Sequence, residues 1–306
     1  MKLSSRRSRA ARRQLVPWMF AAPAVVLFLA FMLIPIIYAV YLSFRGSRLA
    51  GGGAFARPIE TFVGLTNYIG ALTDPVLRAG VGRALIYGVI AVPTTLGLAL
   101  LFALLIDVPT ARFQRFSRTA IFLPYAVPGV IASLLWGFLY LPSTSPVSYI
   151  ARQLGGGSLD FLHYPVLYFA IANIALWSGV GFNMIIIYTA LRSIPTEIYE
   201  AARIDGASER AIAWRIKIPL VQPALVLTGL FSVIGTLQLY AEPTTLRPIA
   251  TAISSNWVPL MAIYQEAFMN GNLGGAAAAS VLLAIGTLFI SLGLLRFFQR
   301  RTFGEF

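Results

Sequence analysis

EIYEAARIDGASERAIAWRIKIP, running from Glu197 to Pro219, decides how the rest of the chain is read, because it sets eight charged residues between two strongly apolar runs. Pro195 stands at its entrance, where a missing N–H costs nothing in a first helical turn, and Glu197 is well placed toward the helix dipole. Asp205-Gly206 reads as a turn, and Ser208 followed by Glu209 reads as the cap and first turn of a second helix ending before Pro219. The stretch therefore predicts a helix, a turn and a helix. Glu200, Ala201 and Ala202 fall on successive positions of the first helix, where two alanines admit a second backbone and the carboxylate offers a partner to arginine.

The flanks of this stretch are of membrane grade. Over 306 residues, 58% are apolar and 11% charged, and the mean hydropathy is +0.77, a balance suited to a polytopic membrane protein. Six apolar runs are long enough to cross a bilayer: about Val16 to Leu42, Gly82 to Ile106, Thr119 to Leu141, Val166 to Leu191, Gln222 to Tyr240 and Gly275 to Phe298. The first is too long for the core of a signal peptide. The expected organisation is a basic amino-terminal segment (1–15), an all-α six-span domain (16–298) with a polar loop at 193–221 between spans four and five, and a short tail (299–306).

Charge orients this arrangement. With six spans, 17 Lys and Arg residues fall on the side of the termini and of the 193–221 loop, and seven on the other. By the positive-inside rule both termini and that loop are expected to be cytoplasmic, in a multi-pass protein of an inner or plasma membrane. The net charge of +13 is spread over four tethered segments instead of one patch, which argues against nucleic acid as a partner.

Catalytic patterns are missing from the sequence. With no cysteine there is no disulfide framework, thiolate zinc site or cysteine nucleophile, and the single histidine, His163, sits in a loop. The chain contains no GxxxxGK loop, so it is not expected to hydrolyse ATP by itself. Asp107, Asp160, Glu242 and Glu266 fall at or beyond span ends, so no carboxylate relay of the kind used by proton-coupled carriers is expected inside the spans. An intramembrane enzyme would need a buried nucleophile with its base, or metal ligands, and neither is seen.

The spans carry neutral polarity instead. Thr228, Ser232, Thr236 and Tyr240 recur every four residues along one side of the fifth. Ser133, Trp136 and Tyr140 in the third span, and Asn173 and Trp177 in the fourth, have comparable spacing. Aromatic rings with amides and hydroxyls suit a sugar, and these residues form the candidate substrate pathway. They are equally the ordinary material of helix packing in lipid. Gln238 points elsewhere on the helix and is assigned to an interface with a partner chain.

The spacing Glu200-Ala201-Ala202, Gly206, Ile216 and Ile218-Pro219 resembles the "EAA" signature of permease subunits of bacterial ABC importers, with Ile218 where the pattern usually has Leu. VGLTNYIGALTDP, RTAIFLPYAVPGVIASLLWGFLY and LQLYAEPTTL are similar to the first permease of carbohydrate importers of the maltose and glycerol-phosphate type. One departure is TTLRPIATAISSNW (244–257), where many relatives have a Gly-Gly-Pro turn. The resemblance implies transport of a mono- or oligosaccharide by alternating access, with Glu200, Ala201, Ala202, Asp205, Gly206, Ile216 and Pro219 forming a coupling loop. It also implies a second permease chain, an ABC ATPase dimer that binds ATP and Mg, and an extracytoplasmic solute-binding protein. No cofactor is expected on this chain, which contacts lipid. A permease for another solute, such as glycerol phosphate or a polyamine, is the alternative.

Overall fold

The computed structural model describes residues 19–50, 57–108, 112–157 and 159–302. The basic segment 1–15, residues 109–111 of the linker after the second span and residues 303–306 of the tail lie outside the described residues. The chain divides into two compact units, residues 1–72 with 266–282 and residues 73–265 with 283–306.

The first unit opens with α1 (Met19–Ser43), an apolar helix with none of its spanning window buried in the protein. A π-helical turn at Leu29–Leu33 lies just ahead of Pro35, whose ring has no N–H to give to the preceding turn. An antiparallel β-hairpin follows, β1 (Arg45–Ala50) with β2 (Arg57–Phe62), pairing Arg45 with Phe62 and Ala50 with Arg57. The sequence reading was all helical, and this hairpin departs from it. Period-two patterning is weak there. The unit is held by Asn67 at the start of α2 (Thr66–Thr73), whose Nδ2 donates to the carbonyls of Ser43 at 2.9 Å and Arg45 at 2.7 Å.

The second unit is built on α3 (Pro75–Ile106), which starts seven residues before the expected span because Asp74 caps it, accepting from the N–H groups of Val76 and Leu77. One stripe of α3 is made of small buried residues, Ala84, Gly88, Ala91, Thr95, Ala99 and Ala103. Small side chains at this spacing let another helix come close without a hydrophobic drive, and α7 (Val166–Arg192) fills that place. Met184, Ile187 and Leu191 of α7 pack against Ala99 and Ala103 in one core cluster, while Leu167, Ile171 and Ile174 share another with Ala84 and Ala91.

Between them the expected third span is not one straight helix. α4 (Gln114–Phe122) runs into a 3-10 turn at Leu123–Ala126 and then, at 96°, into α5 (Gly129–Tyr140). Pro124 and Pro128 account for the break, since each removes a backbone donor from a continuing helix. α4 meets α7 backbone to backbone, because a Cβ on Gly181 would stand 2.2 Å from the carbonyl oxygen of Ile121. α6 (Pro146–Gln153) precedes α7.

After α7 come α8 (Thr196–Ile204) and α9 (Glu209–Leu220), the latter with a π-helical segment at Ala213–Lys217. A 64° bend leads into α10 (Gln222–Leu237), then α11 (Ala241–Leu246), α12 (Pro259–Tyr264) and α13 (Leu273–Thr302). Among the described residues four helices are long and apolar enough to cross a membrane, and six segments are if each bent pair counts as one.

Candidate functional site

Two places in the second unit gather polar side chains. The first is the root of the α8–α9 hairpin. Gly206 closes its turn at φ +83°, a left-handed conformation that costs a residue with a side chain about 1–2 kcal/mol. Ser208 caps α9 by accepting from the Ala211 N–H at 3.3 Å, and Arg203 pairs with Glu209 across the turn at 2.8 Å. That contact raises the Arg203 guanidinium above its ordinary pKa.

Of the residues singled out in this stretch, Glu200, Ala201, Asp205, Gly206 and Pro219 are exposed, and Ala202 and Ile216 half-buried. Two large apolar residues stand out beside them, Ile204 at 86% exposure and Trp214 at 73%. The opposite face is anchored. Tyr199, Ile212 and Lys217 are buried, and Lys217 Nζ donates to Asp107 Oδ2 at 2.5 Å, both side chains being almost fully enclosed.

Asp107 is the C-cap of α3, so this ion pair ties the last turns of the hairpin to the end of the longest helix. Arg192, ending α7, reaches the other carboxylate oxygen at 4.0 Å. The Tyr199 ring lies 5.1 Å from Lys217 Nζ, in cation–π range. Burial first, and then the Asp107 charge, push the Tyr199 phenol above its usual pKa, so it remains a neutral ring. Sequence reading missed this cluster because its partners are 110 residues apart and Asp107 looked like an ordinary span-end carboxylate.

The second place is a cavity of about 590 Å³, within the size range of small-molecule sites. Its polar lining includes Thr95, Asn183, Ser232, Thr236, Gln238 and Tyr240, with Glu242 at one end and Tyr125 and Phe182 stacked at 4.8 Å on the wall. Ser232, Thr236 and Tyr240 of the candidate pathway meet here. Thr228 is fully buried elsewhere on α10.

Tyr240 does not reach the cavity by helical spacing: α10 stops at Leu237, and Tyr240 has φ −149° and ψ −51°, with its ring 6.0 Å from Tyr264. Gln238, assigned from the sequence to an interface, lines the cavity as well. Ending the helix three residues early undid the argument from spacing.

Ser133, Trp136, Tyr140, Asn173 and Trp177 lie outside this lining and contact one another or the backbone, although the buried Trp136 Nε1 has no hydrogen-bond partner. Ser133 Oγ donates to the Gly129 carbonyl, Asn173 Nδ2 to Tyr140 Oη at 3.0 Å, and Tyr140 Oη to the Ala170 carbonyl at 2.8 Å. Trp136 packs on Tyr140 at 5.7 Å and edge-on to Trp177 at 6.1 Å. His163 pairs with Asp160 at 2.7 Å on the surface. No group of His, Cys, Asp and Glu able to hold a metal occurs among the described residues.

Similarity to known proteins fits this anatomy. The lactose transport system permease protein LacF of Rhizobium radiobacter is 33% identical over 74% of this chain and 74% of its own length. The sn-glycerol-3-phosphate transport system permease protein UgpA of Agrobacterium fabrum is 28% identical over 94% of this chain and 96% of its own. The fold matches a chain of a bacterial ABC transporter involved in import of the acidic polysaccharide alginate, with a TM-score of 0.78, 21% identity and coverage of 96% of this chain and 99% of that one. Residues 67–304 match one family model across spans two to six and the hairpin, and by that match the chain belongs to the binding-protein-dependent transport system inner membrane components.

Proposed function

We propose that this chain is the permease subunit of an ABC importer that moves a carbohydrate across the bacterial cell membrane, working with a second permease chain, an ATPase pair and an extracytoplasmic solute-binding protein. The observation that carries the coupling part is the two-faced hairpin. One face, with Glu200, Ala201 and the bare rings and chains of Trp214 and Ile204, is open to a partner. The other is fixed to α3 through Lys217 and Asp107. A push on the exposed face has a stiff route into α3 and α7, which also line the cavity.

In this reading the hairpin and both termini are cytoplasmic, in keeping with the charge asymmetry of the loops, and ATP with Mg binds only on the ATPase subunits. Closure of the ATPase pair turns the helices from inward to outward opening. The cavity is where the sugar passes, its aromatic walls meeting ring faces and its hydroxyls and amides meeting the rim.

Glu200 is the carboxylate offered to a basic residue on the ATPase. Glu200→Ala leaves that residue unpaired and should lower recovery of the ATPase with affinity-purified permease several-fold, while the second permease is recovered as before. Undiminished recovery and undiminished transport together would remove the docking role from this hairpin.

A further inference from the structure

The cavity of the second unit has a chemical bias that its list of polar residues does not reveal at first sight. Three of its polar side chains have their donors already used. Ser232 Oγ donates to the Thr228 carbonyl at 2.9 Å and Thr236 Oγ1 to the Ser232 carbonyl at 2.9 Å, so both present oxygen lone pairs to the cavity and keep their protons on the helix. Asn183 repeats the pattern. Its Nδ2 donates to the Gly179 carbonyl at 2.9 Å, and its buried Oδ1 has no partner.

Glu242 completes the set. It lies five residues beyond Leu237, the end of α10, as the second residue of the short α11, and in sequence it looks like a residue of a connecting loop; the fold turns it back to line the cavity. Among the described residues lining the cavity it is the one carboxyl, Lys, Arg and His being absent from that lining, and burial raises its pKa above the ordinary carboxyl value. No ion pair to Glu242 occurs among the described residues, in contrast to Asp107.

The same lining carries the hydroxyls of Tyr87, Thr95, Tyr125, Ser178 and Tyr240 and the amide of Gln238, so the wall offers donors beside these acceptors. A ligand rich in hydroxyl groups satisfies it, and a carboxylate binds hydroxyls more strongly than a neutral acceptor does. A phosphate or sugar acid brings more acceptors and, against the ionised Glu242 carboxylate, a like charge that disfavours it. A polyamine would need more than one carboxylate along its length.

We propose that Glu242 is the specificity-determining residue of the cavity, where its carboxylate accepts hydrogen bonds from the hydroxyls of an uncharged sugar and turns acidic solutes away. This rests on the carbohydrate-importer reading and sharpens it, since proteins similar in sequence or fold are named for lactose, sn-glycerol-3-phosphate and the acidic polysaccharide alginate. Glu242 acts together with Asn183, Ser232 and Thr236 as an acceptor surface. The ring of Tyr240 supplies the apolar contact.

The test uses the complete complex in proteoliposomes with one binding protein held constant, and two probes on one skeleton, lactose and its oxidised anionic form lactobionate. The ratio of their uptake rates is the readout, because a purely structural defect lowers both alike. Wild type should favour lactose by roughly a hundredfold, the scale on which a site built for hydrogen bonding rejects a mismatched solute. Glu242→Gln, which keeps shape and removes charge, should cut that ratio about tenfold, corresponding to one charge-assisted contact. Glu242→Asp, which keeps the charge, should hold the preference at a lower rate and serves as the reading if the Gln variant fails to assemble. Wild-type rates for the two probes within threefold of each other, or an unchanged ratio in an assembled Glu242→Gln complex, would overturn the assignment and leave the importer reading standing. Uptake of neither probe, nor of a panel of neutral mono- and oligosaccharides, would overturn the carbohydrate reading and this assignment with it.

Discussion

Asp107 and Glu242 are both carboxylates just past the end of an apolar helix, and the fold treats them in opposite ways. Asp107 is enclosed and met by Lys217 at 2.5 Å, with Arg192 at 4.0 Å beyond. Glu242 faces a cavity and has no cationic partner among the described residues. A buried pair gives rigidity and is expensive to break, whereas an unpaired carboxylate is a receptor for whatever brings donors. In the proposed reading this difference separates two tasks: transmitting a push at the hairpin and selecting a cargo in the cavity.

The largest effect should come from breaking the pair. Lys217→Met strands Asp107 in a nearly dry site and should cost about 3–5 kcal/mol, read as a lower melting midpoint of the purified permease by fluorescence-detected gel filtration. Replacing both partners by apolar residues, in Asp107→Leu with Lys217→Met, should bring the midpoint back, because a well-packed apolar pair is often as stable as a buried ion pair. If the single variant melts with the wild type, the root of the hairpin is not electrostatic and the comparison collapses.

A smaller effect belongs to the turn. Gly206→Leu forces a side chain to φ +83° at a cost of about 1–2 kcal/mol, and where it stands the turn meets open space, so the fold should survive. Uptake per ATP hydrolysed should fall, with hydrolysis itself retained. Unchanged coupling would shift the transmitting contact away from the turn and toward the Lys217 end.

The smallest effects are those inside the cavity. Tyr240→Ala should lower uptake by up to about tenfold, the scale of one lost aromatic contact, with the complex intact. Gln238→Ala should lower it less, and equally without disturbing assembly, because Gln238 lines the cavity. An assembly defect in Gln238→Ala with normal uptake in Tyr240→Ala would move the pathway off this face of the protein.

How much of this was legible in the sequence follows the same divide. The hairpin was readable because its signals are local: Gly206 for the turn, Ser208 for the cap and Glu197 for the first turn each act within a few residues. The spans at α1, α3, α7 and α13 were readable from length and apolarity. What depends on long-range packing was not. The third span broke at Pro124 and Pro128, which membrane helices often tolerate, and the pairing of residues 107 and 217 needs the folded chain. Periodicity carried Ser232 and Thr236 to the cavity and failed at Tyr240, where the helix had ended. It also grouped Ser133, Trp136, Tyr140, Asn173 and Trp177 with them, which lie outside the cavity lining, with Ser133, Tyr140 and Asn173 hydrogen-bonded and Trp136 and Trp177 in ring contact.

The central claim, that ATP turnover on partner subunits drives a sugar through this chain, is tested most directly by uptake of a radiolabelled neutral disaccharide into proteoliposomes holding both permeases, the ATPase pair and the binding protein. The sugar should accumulate, and accumulation should stop when ATP, the ATPase or the binding protein is left out. Equal accumulation without ATP or without the ATPase would contradict the account.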